Sequence, residues 1–223
     1  MIITIDGPAG AGKSTVARRL ADVLGFEYLN TGAMYRGLAW VGLQRSIDWT
    51  DPDAVGQLGD RMQLRIVGPR TFWGETDITD AVRSPEVTAV THFTADHPGL
   101  RHILAGFQRQ CAAGKNMVTE GRDQGTFVFP DAACKIWVTA TPEERTRRRI
   151  GEMVRRGELA SDPPESVFET VRAEIVSRDL GDEMRAVAPL RRADDAVTVV
   201  TDGMSIDEVV QELTRIVRKK QSS

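Results

Sequence analysis

Short apolar runs rich in β-branched residues alternate with longer segments of helical periodicity along most of the chain. The short runs, typical of buried parallel strands, are residues 2–6, 116–119, 134–139 and 196–200. The periodic segments, typical of helices, are residues 13–25, 32–44, 98–113, 142–157, 164–180 and 205–219. Strands separated by helices predict an α/β fold in which a parallel sheet is covered by helices on both faces.

Two of the predicted helices carry start signals in their sequences. Thr141 precedes Pro142 and two glutamates, which is typical of an N-cap followed by proline at the first helical position. Ser205 and Glu208 have the spacing of a capping box. Both signals support the predicted helix boundaries.

Two segments interrupt the alternation of strands and helices. Residues 61–79 contain three strand-like pieces broken by glycine and proline, at 64–67, 71–73 and 76–78. They predict a small antiparallel insertion, because the breaks are short. Residues 151–166 combine glycines, prolines and charges, which predicts a hinged segment. We expect one domain over residues 1–223.

Composition narrows the classes of protein to consider. The chain has 223 residues, of which 41% are hydrophobic and 27% charged, as in soluble globular domains. Residues 1–6 predict a strand rather than a signal peptide, and no apolar run is long enough to span a membrane. A net charge of −3 predicts no broad nucleic-acid surface. Two cysteines, Cys111 and Cys134, indicate neither a disulfide framework nor a zinc site. We therefore expect a cytoplasmic protein without membrane or nucleic-acid partners.

A glycine-rich loop follows the first predicted strand and precedes the first predicted helix. Its pattern is G-x-x-x-x-G-K-[ST], the P-loop, in the strand–loop–helix context that the motif requires. Backbone N–H groups of such a loop and the helix N-terminus bind a polyphosphate, since glycines permit its close approach. Lys13 can reach the β- and γ-phosphates of ATP, and the Ser14 hydroxyl can ligate Mg²⁺. The predicted ATP-binding residues of the loop are Gly7, Pro8, Ala9, Gly10, Ala11, Gly12, Lys13, Ser14 and Thr15.

Arginines recur beside carboxylates or aromatic residues in separated segments. They are Arg36, Arg101, Arg122, Arg178 and Arg185. In an open α/β sheet ligands bind outside the carboxyl ends of the strands, where residues 31–36 and 120–123 would lie. Converging arginines there would surround a second anion that faces the triphosphate, which indicates a kinase whose acceptor is itself a phosphate.

Two alternatives remain open from the residues alone. The chain lacks the N-K-x-D motif of GTPases, and a motor or transporter would normally be longer. A kinase for another small acceptor, such as shikimate, dephospho-coenzyme A or thymidylate, is one alternative. A nucleotide-sensing module that binds ATP without turnover is the other, although such a module need not keep Lys13, Ser14 and the arginines together.

Four longer strings resemble the bacterial cytidylate kinase family. They are Ile5 to Ser14, Thr31 to Arg36, Gly121 to Pro130 and Arg185 to Leu190, and they occur in that family's order. The resemblance implies transfer of a phosphoryl group from ATP to CMP or dCMP, with Mg²⁺, by a monomer. It also implies a core of residues 1–60, 93–150 and 167–223, a monophosphate-binding insertion of about 61–92 and a lid of about 151–166.

The resemblance assigns roles to the arginines and their neighbours. Arg36, Arg122 and Arg185 would hold the CMP phosphate and, with Lys13, are the expected catalytic residues. Arg101 and Asp123 would face cytosine, whose amino group donates to a carboxylate. Arg178 and Asp182 would bind the ribose. The complete CMP-binding set also includes Thr31 and Tyr35.

Several details stay open at this stage. Glu120, at a predicted strand end, is the candidate for holding a water molecule of Mg²⁺. By analogy with related kinases, Arg148 or Arg149 would stack on adenine, and the sequence does not choose between them. The chain departs from the family's usual residues at Asn30, where aspartate is usual, at His92, where many members have serine, and at Gly181, where some have arginine.

Overall fold

Two sheets and eight α-helices make up the fold of the described chain. The computed structural model describes residues 1–221, so residues 222 and 223 of the predicted core lie outside it. The strands are β1 (Ile2–Asp6), β2 (Glu27–Asn30), β3 (Leu64–Val67), β4 (Arg70–Trp73), β5 (Thr76–Asp77), β6 (Met117–Gly121), β7 (Cys134–Thr139) and β8 (Val197–Val200). The helices are α1 (Lys13–Leu24), α2 (Thr31–Gln44), α3 (Pro52–Gly56), α4 (Pro85–Asp96), α5 (Pro98–Ala112), α6 (Pro142–Arg155), α7 (Glu165–Glu183) and α8 (Ile206–Gln221). Short 3₁₀ turns occupy residues 57–59 and 81–83, and a π-helical turn occupies residues 124–128.

The larger sheet is parallel and has the order β2-β6-β1-β7-β8. Asp6 at the end of β1 lies opposite Gly121 of β6, and Asn30 at the end of β2 lies opposite Glu120. Because parallel strands end at the same edge, the segments after β1, β2 and β6 leave the sheet side by side. This register brings the glycine-rich loop and two of the arginine-bearing segments together.

Helices pack on both faces of this sheet, as its buried strands require. One core cluster joins β1 to α1 and α8 through Ile5, Leu20 and Leu213, which are fully buried. The other joins α2 and α5 through Leu38 and Leu104. The prediction of an α/β fold with a parallel sheet and helices on both faces is therefore confirmed.

The predicted antiparallel insertion is present as the second sheet, of order β3-β4-β5. Leu64 of β3 belongs to the core cluster of α2, and an added Cβ at Gly37 would lie 2.8 Å from it. The small insertion thus packs closely on the helix that follows β2. The limits expected for the insertion and the lid fall inside helices, since α4 continues to Asp96 and α6 to Arg155.

The sequence pattern missed β2, α3 and α4. β2 has four residues and only Leu29 among them is buried, so its apolar signal is too weak to recognise. In α4 only Val87 and Thr94 are buried, and β-branched residues obscure its period. A usable signal was present, because Ser84 caps α4 ahead of a proline at the first turn.

The predicted helix starts are confirmed by their cap contacts. Thr141 Oγ1 accepts from the Glu144 N–H at 3.3 Å. The Ser205 N–H donates to Glu208 Oε2 at 2.8 Å, and Ser205 Oγ accepts from the Glu208 N–H at 3.3 Å, which completes the capping box. Among residues 1–221, no helix is both long and apolar enough to cross a membrane.

Candidate active site

A cavity of about 560 Å³ opens at the carboxyl ends of β1, β2 and β6. It brings together most of the residues that the sequence singled out. These are Gly10, Ala11, Gly12, Lys13, Ser14, Thr15, Thr31, Tyr35, Arg36, Arg101, Glu120, Arg122, Asp123, Arg148, Arg149, Arg178, Asp182 and Arg185. Gly7, Pro8 and Ala9, which begin the loop, are not among its lining residues.

Three positions of the loop between β1 and α1 have backbone conformations that favour glycine. Gly7, Gly10 and Gly12 have φ angles of 150°, 74° and 81°, and an added Cβ at Gly7 would lie 1.9 Å from the carbonyl oxygen of Val138. Gly12 is also the N-cap of α1, so the positive end of that helix faces the cavity. The loop is therefore an anion site built from backbone groups.

Lys13 and Ser14 already have partners within the protein. Lys13 is 5% exposed and its Nζ donates to the carbonyl oxygen of Pro8 at 2.7 Å. Ser14 Oγ donates to Glu120 Oε1 at 2.9 Å. Burial, and next the positive charge of Arg122, hold the pKa of Lys13 well below its usual value. A bound polyphosphate would reverse this shift, because its negative charge favours the ammonium form.

Glu120 is held by neighbours from β2, α1 and α2. It is 6% exposed at the end of β6, and its backbone carbonyl accepts from Thr31 Oγ1 at 2.7 Å. The Tyr28 hydroxyl lies 3.4 Å from the carboxylate oxygen that Ser14 also contacts. The side chains of Glu120 and Ser14 thus present two oxygen ligands side by side at the foot of the loop.

Two arginines of the opposite wall share one carboxylate. Arg122 Nε donates to Asp182 Oδ2 at 2.8 Å, and Arg185 Nη2 forms an ion pair with Asp182 Oδ1. Arg185 Nε also donates to Asp96 Oδ1 at 2.6 Å. The buried Asp182 therefore orients the guanidinium groups of Arg122 and Arg185, which follow β6 and α7.

Arg36 and Arg178 form no ion pair within residues 1–221, although both line the cavity. The Nε atom of Arg36 is buried without a hydrogen-bond partner. Arg178 is exposed. Desolvation lowers the pKa of both, and positive charges, among them Arg122, lower it further. Positive charges held this close together without carboxylate partners create a positive potential that attracts an anion. The cluster therefore indicates an anion site.

Arg101 and Asp123 form a buried ion pair beside this cluster. They are 2% and 4% exposed, and Arg101 Nη2 donates to Asp123 Oδ2. Arg101 also donates to the carbonyl oxygens of Ala95 at 2.7 Å and Ala188 at 3.1 Å, and lies 5.6 Å from the Tyr35 ring centre. Such a pair is costly to desolvate, and both residues line the cavity, so ligand recognition explains the pair better than stability does.

Arg148 and Arg149 both line the other end of the cavity, near Met204 and Ile206. Arg148 donates to Thr201 Oγ1 at 2.9 Å and to Glu144 Oε1 at 3.0 Å. Within residues 1–221 the Arg149 side chain pairs with Glu152 alone, at 3.3 Å. The fixed guanidinium of Arg148 beside apolar side chains has the geometry of a stacking surface for a flat base.

Sequence reasoning missed several lining residues that no motif marks. They are Thr91, Ala95, Glu152, Arg155, Thr201, Met204, Ile206 and Val209. Thr201 follows β8 directly, so the rule that ligands bind at carboxyl ends could have found it. The remaining ones depend on the packing of helices against the loop.

The three departures from the family's usual residues have different surroundings. Asn30 lines the cavity and caps α2, accepting from the Ala33 N–H at 3.1 Å. His92 packs on Phe93, with ring centres 4.0 Å apart, and α4 lines the cavity with Thr91 and Ala95 instead. An added Cβ at Gly181, which is exposed, would meet no atom within 4 Å. Of the three, only Asn30 lies in the cavity wall.

A parallel sheet with a glycine-rich loop ahead of its first helix, and a cationic cavity at that edge, define a P-loop kinase. Solved structures support the fold. Shikimate kinase from Bacteroides thetaiotaomicron matches with a TM-score of 0.51 at 14% identity, over 98% of each chain. An uncharacterized protein from Eubacterium ventriosum also matches with a TM-score of 0.51, at 11% identity, over 100% of this chain and 99% of that chain.

Sequence comparison assigns the family. The family model described as Cytidylate kinase matches residues 3–219. A cytidylate kinase from Rhodopirellula baltica is 49% identical over 219 residues, 98% of this chain and 93% of that protein. One from Shouchella clausii is 44% identical over 221 residues, 97% of this chain and 96% of that protein. The chain therefore belongs to the cytidylate kinase family, and the predicted resemblance is confirmed.

Proposed function

We propose that this chain transfers the γ-phosphoryl group of ATP to the phosphate of CMP and dCMP, giving ADP with CDP or dCDP. Membership of the cytidylate kinase family supports a nucleoside monophosphate kinase that uses ATP. The observation that carries the choice of acceptor is the cluster of Arg36, Arg122, Arg178 and Arg185 across the cavity from the loop. A second phosphate would neutralise charges that now repel one another.

Arg36, Arg122 and Arg185 are assigned to the phosphate of the acceptor. They come from α2, the segment after β6 and the segment after α7, so they approach one point from three sides. The planar guanidinium group binds two phosphate oxygens at once, which fixes the acceptor's direction as well as its position. Arg178 and Asp182, one helical turn apart on α7, are assigned to the ribose hydroxyls.

Asp123 and Arg101 are assigned to the base. The Asp123 carboxylate accepts from the amino group of cytosine, and Arg101 donates to its ring acceptors. Uracil presents a carbonyl oxygen in place of the amino group, which a carboxylate repels. Thr31 and Tyr35 would complete the acceptor site, since Tyr35 lies over Arg101.

The donor side is assigned to the loop of residues 7–15 and to Arg148 or Arg149. The geometry favours Arg148 for the adenine, because Thr201 and Glu144 hold its guanidinium still. Arg149, with fewer partners, can turn toward the phosphates. Lys13 would release Pro8 and donate to the β- and γ-phosphates.

Ser14 and Glu120 fit Mg²⁺ as the accompanying ion. A hydroxyl and a carboxylate oxygen 2.9 Å apart are ligands of the hard kind that Mg²⁺ prefers, and Glu120 would act through a water molecule. When bound, Mg²⁺ neutralises charge on the β- and γ-phosphate oxygens.

Catalysis then consists of alignment and electrostatic stabilisation. The arginines orient the attacking phosphate oxygen in line with the γ-phosphorus, and Lys13 stabilises the charge on the transferring group.

We assign residues of about 61–92 to closure over the monophosphate and residues of about 151–166 to a lid that excludes water. We further propose that the protein acts as a cytoplasmic monomer.

An acceptor panel tests this function. ADP release is measured with ATP and Mg²⁺ against CMP, dCMP, UMP, AMP, thymidylate, shikimate and dephospho-coenzyme A. We expect activity with CMP and dCMP far above the others. Turnover of shikimate, or nucleotide binding with no acceptor-dependent ADP release, would contradict the proposal.

A further inference from the structure

A buried ion pair between α6 and α7 holds both backbone groups of Ala9. The Ala9 N–H donates to Asp179 Oδ1 at 2.8 Å, and Arg145 Nη1 donates to the Ala9 carbonyl oxygen at 2.9 Å. Arg145 Nη1 also forms an ion pair with Asp179 Oδ2. Arg145 and Asp179 are 5% and 8% exposed, so the ring of three contacts excludes water. Neither residue lines the cavity.

Arg145 also contacts the residue after β7 and packs beside Gly10 of the loop. Arg145 Nε donates to the carbonyl oxygen of Ala140 at 3.1 Å. An added Cβ at Gly10, which has a φ of 74°, would lie 3.3 Å from Arg145 Cβ. The tip of the glycine-rich loop therefore rests on this side chain through both hydrogen bonds and packing.

A second ion pair joins the same two helices without contacting the loop, and it serves as a comparison. Arg172 of α7 donates to Glu143 of α6 at 3.1 Å, with side chains 42% and 44% exposed. An exposed pair keeps most of its hydration, whereas burying a pair removes it at a cost. The buried pair differs from the exposed one in that it reaches the loop.

Asp179 also lies on the helix that serves the acceptor. Arg178 precedes it, and Asp182, one turn later, contacts Arg122 and Arg185. One rigid helix thus contacts the loop through Asp179 and the arginine cluster through Asp182. Movement of α7 relative to the loop would misalign the two phosphates that must react.

We propose that Arg145 and Asp179 are positioning residues, which hold the tip of the P-loop at Ala9 in a fixed relation to Asp182 of α7 and the acceptor arginines that Asp182 contacts. The inference deepens the proposed function and rests on it. Because they touch neither substrate, their role is to set the alignment of donor and acceptor. Misplacement by about 1 Å can cost roughly 10²-fold in rate.

Asp179→Asn and Arg145→Lys test the proposal. Asparagine keeps the shape of Asp179, but its amide donors face the Arg145 guanidinium. Lysine keeps the charge of Arg145 but cannot hold Ala9, Ala140 and Asp179 together. We expect kcat to fall roughly 10²-fold in each, the Kd of an ATP analogue with Mg²⁺ to rise, and KM for CMP to stay within about twofold.

Arg172→Gln is the matched control, since it removes the exposed pair between the same helices. We expect wild-type kinetics from it. The double variant Arg145→Met/Asp179→Leu separates positioning from stability. Replacing a buried pair by apolar side chains often restores stability that single variants lose. We expect its unfolding temperature to recover toward the wild-type value while the loss of kcat persists.

Recovery of kcat together with stability in the double variant would overturn the proposal. Wild-type kcat and ATP affinity in folded Asp179→Asn would overturn it as well. If Asp179→Asn does not fold, the same measurements on Arg145→Lys decide the question. The ATP analogue is titrated without CMP, so this arm reports on the loop independently of the acceptor. A wild-type enzyme that binds the analogue but ignores CMP would refute the proposed function alone.

Discussion

The donor and acceptor sides of the cavity differ in how their polar groups are satisfied. On the donor side each important group has a protein partner, as Lys13 has Pro8, Ser14 has Glu120 and Ala9 has Asp179. On the acceptor side Arg36 and Arg178 lack an ion pair within residues 1–221, and desolvation, followed by neighbouring arginines, lowers the pKa of both. Folding therefore completes the donor loop, whereas the acceptor site needs the charge of its ligand.

This difference indicates what ligand binding changes on each side of the cavity. A loop whose backbone is held by its own protein requires little reorganisation, so its N–H groups are positioned before the nucleotide arrives and Lys13 has only to exchange its Pro8 contact for the phosphates. A cluster of repelling cations is destabilising when empty, and an anion that relieves the repulsion gains affinity from it. We infer that the acceptor phosphate, more than the donor, orders its own surroundings.

Lys13→Ala disrupts the donor side of the cavity. We expect it to cost more free energy than the changes at Arg185 and Asp6. Loss of one preorganised cation costs about 3–4 kcal/mol in the barrier, or roughly 10²–10³ in kcat. The measurement is kcat at saturating ATP and CMP. Lys115→Ala, which removes an exposed pair with Glu27, is the control and should leave kcat unchanged. Near-wild-type kcat in folded Lys13→Ala would refute its role.

Arg185→Ala breaks the acceptor side. Its truncation leaves Asp96 without its ion-pair partner, leaves Asp182 with Arg122 alone, and removes one contact to the acceptor phosphate. We expect KM for CMP to rise roughly 30-fold, about 2 kcal/mol, while KM for ATP changes little. Steady-state kinetics with each substrate varied in turn measure this. Equal changes in both KM values would move Arg185 to the donor side.

Asp6 links the end of β1, on the donor side, to the segment after Asp123, on the acceptor side. We expect its titration to have the smallest of the three effects. At the end of β1, it accepts from the N–H groups of Gln124 at 2.9 Å and Gly125 at 2.7 Å, which follow Asp123. Burial raises the pKa of Asp6 to about 7, from 3.8. Since the folded state then favours the protonated form, stability from this group falls as pH rises toward and through 7.

The free energy of unfolding tests this assignment. Between pH 6 and pH 8 we expect the wild type to lose about 1 kcal/mol relative to Asp6→Asn, which has no carboxyl group to titrate. Urea denaturation of both proteins at the two pH values supplies the comparison. A difference independent of pH would mean that Asp6 stays ionised throughout this range.

The sequence predicted the parts of the site that depend on local chain or on strand order. The loop from Gly7 to Ser14 is a continuous motif between a strand and a helix, so its geometry follows from neighbours in sequence. Arg36 and Arg122 were expected together because both follow parallel strands that end at one edge. The structure places both in the cavity wall.

Contacts set by helix packing were beyond the same reasoning. Asp179 is separated from Ala9 by 170 positions and from Arg145 by 34. No periodicity indicates that they meet, since the contact depends on how α6 and α7 lie against the loop. Missing α4 had a similar result, because Thr91 and not His92 proved to face the cavity.

The central claim is that Asp123 selects the base of the acceptor. The most direct test is kcat/KM for CMP and UMP at saturating ATP, in the wild type and in Asp123→Ala, with the exposed Asp131→Ala as control. A site built to pair with one group can discriminate by about 10⁴. We predict a wild-type preference of that order for CMP, which Asp123→Ala reduces mainly through lost CMP activity and Asp131→Ala retains. Equal use of CMP and UMP by the wild type, or an unchanged ratio in Asp123→Ala, would contradict the account.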